Sequence, residues 1–162
     1  MLSNPPVRCH TSYSQTNITG LGGTVDPTGI EIFGNFVVVI DTAGNGLWVS
    51  ELSRVTGTPL SWTNVTTGFT TSNQPTDAFV ASSGLMFLSG NNGRVYKTTN
   101  ILSGVEEIFT GGAANLLRIG GDGNGTIVAV GASGTVAKST NNGVTWSLVS
   151  SPTSGTLRAV EV

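Results

Sequence analysis

An all-β fold assembled from a repeated four-stranded unit is what this sequence predicts, and three observations predict it. The first is composition. Of 162 residues, 23 are Gly, 23 Thr, 17 Ser and 13 Asn, while Asp, Glu, Lys and Arg together make only 10%. The second is the kind of apolar residue that remains, which leans to Val, Ile and Phe, the strand formers. The third is an internal repeat. Gly90-Asn-Asn-Gly93-Arg-Val95-Tyr-Lys97-Thr-Thr-Asn100 returns as Gly131-Ala-Ser-Gly134-Thr-Val136-Ala-Lys138-Ser-Thr-Asn141, at an offset of 41 residues.

Each copy sits in the same surroundings. A short strand A (Ala78–Ala81, Leu116–Ile119) and an apolar strand B (Gly84–Ser89, Gly125–Val130) precede it. Strand C lies within the repeat, and strand D follows as Val105–Phe109 and Thr145–Val149. An earlier unit has the same order with longer loops: Ile30–Phe33, Asn35–Asp41, Leu47–Ser50 and Leu60–Val65. The glycines Gly90, Gly93, Gly131 and Gly134 mark the B–C hairpins, whose tight turns need the positive φ that Gly and Asn adopt cheaply. The B strands are almost wholly apolar, as strands covered on both faces are. Four short strands per roughly 40–45 residues is the signature of a β-propeller blade. The expected division is an N-terminal arm or strands over 1–27, blades over 28–68, 69–112 and 113–150, and a closing strand over 155–162. Val7–Ser12 and Asn17–Leu21 are expected as the strands that complete a mixed fourth blade with it, the alternative being an open set of three blades closed by another copy or a partner.

Composition also excludes classes. Charge is too scarce for a charge-driven disordered tail. The longest apolar run, Phe36–Ile40, falls far short of the roughly 20 residues a membrane helix needs, so no membrane insertion is expected. Seven scattered basic residues and a net charge of -2 give no nucleic-acid footprint. One Cys rules out an internal disulfide framework and a cysteine-rich zinc site. No secretory signal is visible in the first ten residues.

Ser139-Thr-Asn141-Asn-Gly143-Val-Thr145-Trp146 resembles the Asp-box, the bacterial neuraminidase (BNR) repeat Ser-x-Asp-x-Gly-x-Thr-Trp, with Asn141 in the place of Asp. Eroded versions stand at Thr98, Asn100 and Gly104, and at Ser50, Gly57 and Trp62. With Thr156–Val160 downstream, residues 28–150 look like propellers of the photosystem II stability/assembly factor family. Similar repeats occur in sialidases, sortilin-type receptors and phage proteins. The resemblance implies a propeller; function has to come from the site.

Candidate chemistry is sparse. A sialidase needs an Arg triad, a Tyr nucleophile with a Glu, and an acid Asp; Arg8, Arg54, Arg94, Arg118 and Arg158 are spread along the units, and neither Tyr13 nor Tyr96 has a carboxylate signature beside it. Glu106 and Glu107 are strand neighbours and point to opposite faces, unlike a glycosidase pair. Asp122-Gly-Asn124-Gly-Thr126 starts like a calcium loop, yet lacks the Gly and the closing Glu and reads as an A–B hairpin. Cys9-His10 alternate in direction on a strand and have no second His as partner. The sequons at Asn17, Asn64 and Asn124 are as many as chance supplies in so Ser- and Thr-rich a chain. Trp62 and Trp146 fall at the hairpin-packing position, while Trp48 is the candidate platform for a sugar ligand.

The expectation is therefore a non-enzymatic propeller without metal or cofactor, working through protein partners as a homo-oligomer or in a larger assembly. The main reading is a virion component, such as a phage head, collar or tail decoration, with a cytoplasmic location as the alternative. A carbohydrate-binding propeller lectin, recognising a surface glycan, and an assembly factor resembling the photosystem II family are the competing functions.

Overall fold

In the computed structural model, residues 26–43, 46–51, 61–70 and 72–162 are described. Twelve strands follow one another: β1 (Pro27–Phe33), β2 (Phe36–Asp41), β3 (Gly46–Glu51), β4 (Thr63–Val65), β5 (Pro75–Val80), β6 (Met86–Gly90), β7 (Arg94–Thr98), β8 (Glu106–Thr110), β9 (Leu116–Gly121), β10 (Ile127–Gly131), β11 (Val136–Ser139) and β12 (Ser147–Val149). They form three four-stranded antiparallel sheets, each in sequence order. β1 lies against β5, and β5 against β9, so the first strands form an inner line from which the sheets radiate. This is the all-β propeller architecture that the repeat predicts, with three blades among the described residues.

The blades are glued face to face. Val38, Ile40, Leu47 and Val49 of the first pack against Ala78, Met86, Leu88 and Tyr96 of the second. Phe87 and Val95 on the other face of the second meet Ile119, Ile127, Ala129 and Ala137 of the third. The second strand of each blade is covered on both sides, which is why its sequence does not alternate.

The B–C hairpins turn as their residues demand. Asn92 and Gly93 take φ of 56° and 67°, and Ser133 and Gly134, one repeat later, take 54° and 66°. Two successive positive φ angles give the primed turn whose twist matches that of the flanking strands. Asp122 Oδ1 accepts the backbone N–H of Asn124 (2.7 Å) and of Thr126 (3.0 Å), closing the β9–β10 hairpin.

Side chains replace the ladder that the inner strands cannot make with one another. Thr28 Oγ1 donates to Thr76 O across the first boundary (3.0 Å). Thr76 Oγ1 donates to Leu116 O (2.6 Å), and Asp77 Oδ2 accepts from Ile119 N (3.1 Å), across the second.

Two expectations change. Residues 155–162 form no strand, because no partner ladder lies beside them among the described residues. They still follow the course of a further inner strand, where Leu157 N donates to Gly131 O (2.9 Å) and Gly134 N to Gly155 O (2.8 Å). Two of the three D strands are also shorter than their sequence patterns, β4 and β12 having three residues each, while β8 keeps its five. Val7–Ser12 and Asn17–Leu21 lie outside the described residues.

Candidate functional site

The A–B and C–D turns come out at one end of the blades, and the chain leaves a groove there between the first and second. It holds about 520 Å³ and is lined by Phe33, Gly34 and Phe36 from one blade and by Val80, Gly84 and Thr99–Ile101 from the next. The sequence builds each wall locally. Gly34, at φ 60°, turns β1 into β2 and brings Phe33 and Phe36 opposite each other. Asn100 Oδ1 accepts from Leu102 N (3.2 Å) and starts a short helical turn over Ile101–Ser103. That turn buries Ile101 and leaves Leu102 50% exposed. Thr99 and Asn100 also border a second, more polar hollow of about 340 Å³, edged by Lys97, Ser103 and Glu106.

The Ser139–Trp146 turn sits at the same end in the third blade. Ser139 Oγ accepts from Gly143 N (2.9 Å) and from Asn141 N (3.3 Å), and its hydroxyl donates to Asn141 Oδ1 (3.0 Å). Asn141 Oδ1 also takes Thr145 N (2.9 Å), and its amide donates to Thr145 Oγ1 (2.8 Å). The Trp146 indole N–H donates to Gly143 O (3.2 Å), and its ring packs with Phe87 and Phe109. All five residues singled out in this motif thus form one closed turn that pins the third blade to the second.

Trp48 is placed otherwise than expected. It is 8% exposed, packed with Val37, Val39 and Trp62, and its indole N–H donates to the buried Asp41 Oδ2 (3.2 Å). The ring is consumed by packing and cannot serve as an open sugar platform.

The remaining candidates do not converge. Glu107 pairs with Arg94 (2.6 Å), whereas Glu106 reaches Lys97 (3.5 Å), so the two carboxylates diverge as their alternation requires. The Thr110 hydroxyl, then Arg94, hold the Glu107 carboxyl below its usual range. Arg94 also donates to Asn73 Oδ1 (2.9 Å). The buried Tyr96 donates its hydroxyl to Asn73 O (3.0 Å), and burial, reinforced by Glu107, pushes its pKa up to about 12. The Asp122 carboxyl is held down, chiefly by the Asn124 N–H. Among the described residues no group of three or more His, Cys, Asp or Glu could hold a metal ion, and no helix is long and apolar enough to cross a membrane. Arg8, Cys9, His10, Tyr13 and Arg54 lie outside the described residues.

Two features have little signal in the sequence. The groove joins turns about 50–70 residues apart, and only the repeat frame could bring them together. Asp77 stands where Glu31 and Arg118 approach from the neighbouring inner strands. Burial, and then the Asp77 charge, raise the Glu31 carboxyl; burial raises Asp77 as well, opposed by the N–H groups of Ile119 and Ala78 and by Arg118.

No protein-family model matches the chain, and no curated protein matches it. Among solved structures it is similar to YCF48 bound to a D1 peptide, with a TM-score of 0.57 and 12% identity over 83% of this chain and 45% of that one. It is also similar to YCF48 from Cyanidioschyzon merolae, with a TM-score of 0.56 and 15% identity over 83% of this chain and 44% of that one. The chain therefore spans less than half the length of these propellers. The likeness is one of fold, and it agrees with the resemblance to the photosystem II factors.

Proposed function

We propose that this chain is a non-enzymatic propeller whose work is to hold another protein, in the manner of an assembly factor. The observation that carries this reading is the groove between the first two blades, walled by Phe33, Phe36, Val80 and Ile101, with Leu102, the residue after Ile101, 50% exposed. Apolar walls bordered by a few polar groups, here Thr99 and Asn100, suit an extended peptide with an apolar anchor. That one similar propeller carries a bound peptide supports the same class of partner. The diverging Glu106 and Glu107 and the engaged Arg94 favour a scaffold over a hydrolase.

These observations favour the assembly-factor reading over the virion role inferred from composition. The glycan reading loses its residue with the burial of Trp48. The Ser139–Trp146 turn is assigned the architectural role of an Asp-box, with Asn141 making the contacts of the Asp.

A peptide array of extended sequences with single apolar anchors tests this. The wild-type chain binds a subset, and Leu102→Asp loses that subset at an unchanged melting temperature. An array without signal, or binding that ignores Leu102→Asp, would refute the reading.

A further inference from the structure

We propose that Asn124 is a site of spontaneous covalent modification, where the chain converts its own Asn124–Gly125 step to aspartate and isoaspartate and so loosens the tie between the β9–β10 hairpin and the Ser139–Trp146 turn. The site lies outside the partner groove.

The chemistry needs an Asn followed by Gly, which has no Cβ to hinder the attack. The Gly125 nitrogen, giving its proton to solvent base, forms a bond to Asn124 Cγ. The Cγ–Nδ2 bond breaks, the side-chain nitrogen leaves as ammonia, and a cyclic succinimide remains. Water then opens the ring. Opening at the side-chain carbonyl gives aspartate; opening at the main-chain carbonyl gives isoaspartate, whose main chain is longer by one carbon. One water is consumed and one ammonia released, and nothing is oxidised or reduced.

Four Asn-Gly pairs stand in the sequence, at Asn45, Asn92, Asn124 and Asn142. Asn45 lies outside the described residues, and the fold separates the other three. At Asn92 the side chain is held: its amide donates to Ser72 O (2.9 Å) and to Asn73 Oδ1 (3.1 Å), while its N–H donates to Asn115 Oδ1 (3.0 Å). At Asn142 the attacking nitrogen is held: Gly143 N donates to Ser139 Oγ (2.9 Å), and Gly143 packs on the Phe87 ring. Asn124 has neither restraint. It is exposed in the β9–β10 hairpin, and neither its side-chain amide nor the Gly125 N–H has a hydrogen-bond partner among the described residues. Gly125 is buried against Asn142, but no hydrogen bond has to break before its nitrogen attacks. At the other two pairs one or two bonds must open first, which slows the reaction about tenfold.

The hairpin is anchored on both sides of Asn124. Gly123 O accepts from Ser82 Oγ of the second blade (2.5 Å), and Gly125 O accepts from Asn142 N (2.9 Å). Asp122 Oδ1 also holds the N–H groups of Asn124 and Thr126. A main chain one carbon longer between these anchors cannot keep all of them, and the new carboxylate stands two residues from that of Asp122.

Peptide mapping by mass spectrometry on the folded chain, incubated at mildly alkaline pH, reads the conversion at each pair, with fragment ions that separate aspartate from isoaspartate. Asn124 converts at least about tenfold faster than Asn92 and Asn142. In denaturant the three convert at comparable rates, which shows that the fold sets the order. Hydrogen exchange reads the consequence: the Asn142 amide exchanges faster in the incubated wild type than in fresh protein, whereas Asn124→Ser, incubated alike, keeps the fresh rate. Asn92 or Asn142 converting as fast as Asn124 in the folded chain, an Asn124 that stays intact there while the denatured chain converts, or Asn142 exchange that ignores the conversion would each overturn the proposal.

Discussion

Asp77, on the inner strand of the second blade, accepts the backbone N–H of Ile119, on the inner strand of the third, at 3.1 Å. An inner strand has one edge without a ladder, and here a carboxylate does what a neighbouring strand would do. Removing it leaves a part-buried N–H without a partner. Asp77→Ala is expected to cost about 1–3 kcal/mol, read by chemical denaturation, while Asp77→Asn keeps an acceptor oxygen in place and costs less.

The same carboxylate makes a pH prediction. Burial holds Asp77 above its ordinary value of 3.8, and Asp77 in turn raises Glu31. A folded-state pKa above the unfolded one means that the native state binds protons more tightly. The group therefore weakens the fold as pH rises from the unfolded value through the folded one. Asp77→Asn removes that loss and relieves Glu31. The melting temperature of Asp77→Asn minus that of the wild type should grow as pH rises from about 3 to neutrality. Glu107 and Asp122, shifted the other way, cancel in the difference. A difference flat across this range would contradict the assignment.

The Ser139–Trp146 turn predicts a graded series. Gly143 sits at φ 75°, and a Cβ there would run into the Phe87 ring. Gly143→Ala should cost about 2–5 kcal/mol, from the left-handed backbone and the overpacking together. Ser139→Ala leaves the N–H groups of Asn141 and Gly143 unpaired and should cost about 1–3 kcal/mol. Asn141→Asp should stay within about 1 kcal/mol, because the Thr145 hydroxyl can rotate from acceptor to donor. Thermal melts of the three variants check the order.

The 41-residue repeat makes most of this fold legible in the sequence itself. Gly90, Gly93, Gly131 and Gly134 mark real hairpins, and the motif from Ser139 to Trp146 closes as its residues suggest. What depends on how blades stack is not legible there. Trp48 alternates with Leu47 and Val49 on β3, and alternation alone cannot say which face of a first blade is covered. Asp77 reaches Ile119 only because two inner strands lie at a particular stagger, which no local pattern encodes. The groove is the same kind of object, since Phe36 and Ile101 meet through tertiary packing.

Trp48 yields a prediction opposite to that of a sugar platform. Its N–H is one of several donors to the buried Asp41, which also takes the N–H groups of Asp26 and Ala43 at 2.9 Å. Trp48→Phe should cost about 1.5–3 kcal/mol, the range for a hydrogen bond to a charged group. Trp48→Ala adds the cavity and should cost about 3–5 kcal/mol. A Trp48→Ala variant as stable as the wild type would mean that the ring is displayed after all.

The two threonines that stitch the inner strands should differ in worth. Thr76 is buried; its Oγ1 donates to Leu116 O at 2.6 Å and lies 2.9 Å from Ser89 Oγ. Thr28 is exposed and makes a single bond, to Thr76 O. Valine has the shape of threonine without its hydroxyl. Thr76→Val strands a carbonyl and a hydroxyl away from water and should cost about 1–3 kcal/mol, whereas water can replace the bond lost in Thr28→Val, which should cost less than about 1 kcal/mol. Hydrogen exchange adds a local reading: Thr76→Val should speed exchange of amides in β5 and β9 together, because the hydroxyl ties those strands to each other. Equal costs for the two substitutions would mean that the inner strands are held by their apolar faces alone.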